Sequence, residues 1–94
     1  MIDKKQEALD LLQEECAEVT IEVSKIRRFG IDTKHYKTGI PHLEMLETEV
    51  GDVLALVDIL IDQGVLDRDR LAVAIEKKKL KLKQWSNLYR VTDE

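Results

Sequence analysis

The chain has 94 residues, a formal charge of −4, 44% apolar and 36% charged residues, and only 4% aromatics. That length allows one domain, residues 1–94, and a lone monomer of this size is marginal because it buries only about 60–65% of its unfolded surface. The acidic balance disfavours a nucleic-acid groove or an anionic membrane as the main partner, and the single cysteine, Cys16, excludes an intrachain disulfide.

The first residues, Met1 to Glu7, lack the apolar run of a signal peptide. The longest apolar run, Val53 to Val57, ends at Asp58 and is far too short to cross a bilayer. A soluble, cytoplasmic protein is therefore expected, in keeping with its one free thiol.

From about Asp3 to Phe29, Leu9, Leu12, Cys16, Val19, Val23 and Ile26 recur at alternating intervals of three and four, which predicts one helix with a single apolar stripe. Cys16 then packs as a small core residue. Glu15 and Glu22 border this stripe, Glu18 lies a little further round, and Gly30 stops the helix. Residues 31–40 show no period and read as a connection, flanked by His35 and His42, both expected at the surface.

A second helix is predicted from Pro41 to Gln63, with Leu43, Leu46, Val50, Val53, Val57 and Leu60 as its stripe and Gly64 as its cap. After Gly51 it is apolar nearly all round, so it needs cover on more than one side, and self-association follows. Gly51 itself, costly inside a helix, is expected to allow close approach of a backbone or ligand. Asp67 caps a third helix ending near Asn87 or Tyr89, with Leu71, Ile75, Leu82, Trp85 and Tyr89 as its stripe and Lys78 in the middle. Lys77, Lys78, Lys79, Lys81 and Lys83 make this the basic element of an acidic chain. The expected fold is all-α: three main helices, two in an antiparallel hairpin, assembling as a homo-oligomeric helical bundle, a dimer or tetramer.

Two acidic clusters carry the chemistry. Glu15 and Glu18 share one helix face, as do Glu49 and Asp52. Like charges one turn apart weaken a helix by roughly 0.2–0.5 kcal/mol per pair. Two helices that both bear this cost, and that can face each other, point to a hard cation such as Mg²⁺ between them.

The pattern Glu14-Glu15-x-x-Glu18 followed by Glu49-x-x-Asp52 resembles the EExxE…ExxD signature of the MazG-like, all-α nucleoside triphosphate pyrophosphohydrolases. Ser24-Lys25 with Arg28-Phe29-Gly30, Val50-Gly51-Asp52-Val53, and Gly64-Val65-Leu66-Asp67 before the lysine-rich helix ending in Trp85 resemble the short phage-type members. The stretch from Glu18 to Glu49 is longer than the family usually has. The resemblance implies Glu15, Glu18, Glu49 and Asp52 as Mg²⁺ ligands. It also implies water attack at the α-phosphorus of a nucleotide, releasing a monophosphate and pyrophosphate, in the manner of a house-cleaning enzyme.

Glu18 is assigned the role of orienting or deprotonating the water. Lys25, Arg28 and Lys78 are candidates for phosphate contacts, set against cations that merely favour a helix C-terminus or, for Lys78, a stem that snorkels past apolar neighbours. Trp85 is a candidate base contact, set against a core role. The rival from another class is a non-catalytic helical interaction module.

Overall fold

Among the described residues the chain forms three helices, α1 (Lys4–Phe29), α2 (His42–Asp62) and α3 (Arg68–Trp85). The structure, a computed structural model, describes residues 3–91, among which there is no strand. The α1 helix starts where the Asp3 carboxylate accepts from the Lys5 and Gln6 N–H groups, at 3.0 and 3.3 Å, satisfying donors that have no partner inside the helix. It stops at Gly30, whose φ of 109° is open to glycine and disfavoured for other residues. Pro41 immediately precedes α2, Gly64 follows it at φ 76°, and Asp67 caps α3 by accepting from the Arg70 N–H at 2.9 Å.

The first two helices run antiparallel. At one end Gln63 Nε2 donates to the Lys4 carbonyl at 3.3 Å, and at the other the rings of Phe29 and His42 stack with centroids 5.7 Å apart. The covered seam is Ala8, Leu12, Glu15, Val19, Glu22 and Ile26 on α1, and His42, Leu46, Glu49, Val53, Leu56 and Leu60 on α2. Leu60, with no exposed surface, is its most deeply covered residue.

This seam corrects two sequence expectations. It is rotated by about 50° from the stripe read for α1, given about 100° per residue. Leu9, Cys16 and Val23 therefore lie exposed beside it rather than within it. The apolar arc of α1 is wider than one neighbouring helix can cover, and α2 settles against the edge that carries Glu15 and Glu22. Gly51, for its part, faces outward: a Cβ there would meet no atom within 4 Å, so no backbone among the described residues of its own chain approaches it.

The third helix behaves differently from the pair. None of its side chains is buried, and it packs extensively on neither α1 nor α2. Its stripe is half-covered only at Leu71 and Leu82, while Trp85 is 78% exposed. The chain is accordingly a slab, 56 × 41 × 14 Å, one helix thick. Among the described residues, no helix is long and apolar enough to cross a membrane.

Candidate metal centre

The antiparallel pairing of α1 and α2 carries Glu15 across from Glu49 and Asp52. One carboxylate oxygen from each lies within 4.8 Å of the others. Glu49 and Asp52 share a face of α2, one turn apart, and Glu15 lies in the facing seam of α1, so the cluster follows directly from helix register. Partial burial, and then the charges of Asp52 and Glu49, hold the Glu15 carboxyl above its usual range.

The donor set fits a hard divalent cation. All three groups offer carboxylate oxygen, the donor that a hard cation such as Mg²⁺ takes. Glu18 stands outside this group of three, one turn along α1 and exposed on the side of the pair where Asp52 also lies.

A second acid enters the seam two turns beyond Glu15. Glu22 is only 5% exposed. Its Oε2 accepts from Lys25 Nζ at 3.3 Å, while its Oε1 is buried without a hydrogen-bond partner among the described residues. Glu22 lines a shallow cleft with Met45, Thr48 and Glu49, whose carboxylate belongs to the cluster. An unpartnered buried carboxylate oxygen calls for a donor or a cation close by. The i, i+7 spacing from Glu15 was the sequence signal that Glu22 belongs with it.

Lys25 links this cleft to a larger one of about 400 Å³, walled by Phe29, Thr33, His35, Tyr36 and His42. His42, expected at the surface, is 4% exposed: the α1–α2 turn folds it under Phe29. Its tautomer follows from the hydrogen bonds. The single hydroxyl proton of Thr33 goes to the Gly30 carbonyl at 2.6 Å, so at 2.9 Å the Thr33 oxygen must accept from His42 Nδ1–H. His35 Nδ1 in turn accepts from the Lys37 and Thr38 N–H groups, and its ring stacks on Tyr36. Sequence reasoning missed these rings as a group, because only the bridge between Lys34 and Pro41 folds the connection back over the end of α1.

Of the remaining candidates, Lys25 is half-buried at the cleft, and the exposed Arg28 lies over the Phe29 ring, 5.7 Å from its centroid. Lys78 and Trp85 lie on α3, which does not bring them to the carboxylates of the same chain.

Three comparisons, with protein-family models, with curated proteins and with solved structures, give no match to this chain. The class defined by fold and site is thus an all-α chain whose helix pair gathers carboxylates from two separate segments.

Proposed function

We propose that this protein is a Mg²⁺-dependent nucleoside triphosphate pyrophosphohydrolase that works as a homo-oligomer. The observation that carries the proposal is the convergence of Glu15, Glu49 and Asp52, from segments more than thirty residues apart in the chain, onto one point within 4.8 Å. These are three of the four ligands that the resemblance of the two acidic motifs implies, and the partnerless oxygen of Glu22 in the adjoining cleft adds to the demand for positive charge.

Glu15, Glu49 and Asp52 would hold the ion, with Glu18 at the rim. Mg²⁺ bound there would neutralise phosphate oxygens and lower the pKa of a bound water. The chain's own residues do the rest. Glu18, exposed and clear of the cluster, takes a proton from the water as its oxygen bonds to the α-phosphorus. The bond from that phosphorus to the bridging oxygen breaks, and pyrophosphate leaves with the electron pair. Lys25, held by Glu22 between the two clefts, and Arg28 supply positive charge along the phosphate chain. The aromatic cleft beyond Lys25 takes the planar base between its rings.

The competing non-catalytic role is favoured by one observation, the uncovered face of α3. A panel of nucleoside and deoxynucleoside triphosphates, assayed with and without Mg²⁺ and with both products identified, separates the two. Monophosphate and pyrophosphate in equal amounts are expected. Absence of turnover across the panel, from protein whose melting Mg²⁺ leaves unchanged, would exclude the enzyme.

A further inference from the structure

Between the carboxylate cluster and the aromatic cleft lies a stretch of groove that holds a buried acid. Along α1 the order is Glu15, Glu22, Lys25 and Phe29, and along the antiparallel α2 it is Asp52, Glu49, Met45 and His42. The two clefts follow in the same order. The one lined by Glu22, Met45, Thr48 and Glu49 begins at the cluster, and Lys25 opens the one walled by Phe29 and His42. At about 1.5 Å per residue, Glu22 stands about 10 Å along α1 from Glu15 and about 10 Å short of Phe29.

Glu22 is an odd residue for that place. It is 5% exposed, in a seam whose neighbouring members on α1 are Val19 and Ile26. One of its oxygens, Oε2, accepts from Lys25 Nζ at 3.3 Å, and the other, Oε1, is buried with no partner among the described residues. The side chains around it have no proton to give. Glu44 and Glu49 are carboxylates, which only accept when ionised. The single hydroxyl proton of Thr48 goes to the Glu44 carbonyl at 3.2 Å. A buried carboxylate oxygen in such a cleft is complemented by a ligand that brings its own donor.

We propose that Glu22 Oε1 accepts a hydrogen bond from a hydroxyl of the nucleotide's sugar, so that Glu22 selects the sugar. The proposal rests on the pyrophosphohydrolase reading above and adds to it the part of the substrate that this reading leaves unrecognised. A nucleotide carries phosphate, sugar and base in fixed order, and the groove offers carboxylates, Glu22 and aromatic cleft in the same order. Between phosphate and base, the proton donors of a nucleotide are its 2′- and 3′-hydroxyls. An O–H donated to a carboxylate is a strong, charge-assisted hydrogen bond. With Oε2 held by Lys25, the carboxylate is oriented before the sugar arrives. A substrate without the hydroxyl leaves Oε1 buried and unpaired, and the site rejects it.

The test uses ribo-, 2′-deoxy-, 3′-deoxy- and 2′,3′-dideoxynucleoside triphosphates of the base that is turned over fastest, with Mg²⁺. The dideoxy compound is expected to have a kcat/KM about 10–100-fold below that of the best substrate. The two singly deoxygenated compounds show which hydroxyl is read. Glu22→Met puts an unbranched apolar chain in place of a buried carboxylate, so its Tm should be no lower than the parent's. It should bring the four rates together by slowing only the substrates that carry the hydroxyl. Glu22→Gln keeps an acceptor oxygen at the same size and should restore part of the discrimination. A parent that hydrolyses all four sugars equally would overturn the inference and leave the enzyme standing. So would a Glu22→Met variant that slows all four alike, which would make Glu22 only a support for Lys25. Absence of turnover with every sugar would overturn the enzyme reading and this inference together.

Discussion

Replacing Glu49 by Gln keeps the shape of the side chain and removes one of the three charges that converge within 4.8 Å. Without a divalent ion the change relieves repulsion on Glu15, whose carboxyl Asp52 and Glu49 help to hold above its usual range. The variant should then be no less stable than the parent. With Mg²⁺ the order reverses. An ion that binds only the folded chain stabilises it by RT ln(1 + [Mg²⁺]/Kd), about 1.4 kcal/mol at ten times Kd. For a domain of this size each kcal/mol moves Tm by roughly 4–8 °C, so the parent should gain about 6–11 °C. Loss of one carboxylate ligand should weaken binding at least tenfold and leave the variant about 2–3 °C of that shift at the same concentration. Melting curves over a Mg²⁺ titration, with matched ionic strength from a monovalent salt, read both effects. A parent without a Mg²⁺-dependent shift, or a Glu49→Gln variant that keeps all of it, would falsify the assignment of these three carboxylates.

The raised pKa of Glu15 also predicts a pH dependence in the metal-free protein. Its folded value lies above the ordinary 4.5, so its contribution to stability is complete below that pH and is lost as pH rises through the folded value. Denaturant midpoints should fall over that window in the parent, and Glu15→Gln should remove the fall. Glu18→Gln is expected to lower kcat by about 10²–10⁴-fold while keeping most of the Mg²⁺-linked shift, and an equal loss of both would make Glu18 a ligand rather than a base. Leu60→Ala, at the fully covered residue of the seam, should cost about 2–5 kcal/mol in unfolding experiments. Gly51→Ala should stabilise by about 0.5–1 kcal/mol, because its Cβ enters open space on a helix; destabilisation would mean that another chain approaches there.

The sequence by itself determined the helices. Asp3 and Asp67 as caps, Gly30 and Gly64 as stops and the three-four spacing of apolar residues are local signals, and α1, α2 and α3 end within a few residues of where those signals place them. It also determined which acids share a face, since Glu49 and Asp52 are neighbours on any α-helix. Tertiary structure decided which part of each apolar arc became the seam. Leu9, Cys16 and Val23 satisfy the same spacing as the residues that are covered, and only the approach of α2 along the Glu15–Glu22 edge leaves them outside. The burial of His42 and Glu22 was decided in the same way, by a turn that folds back over the end of α1 and by a helix laid against a stripe edge. Periodicity states how wide an apolar arc is, but where a neighbour lies against that arc depends on contacts between residues distant in the chain. For α3 the periodicity defined a stripe and the chain's own fold left it uncovered, because a slab one helix thick has no second layer with which to bury it.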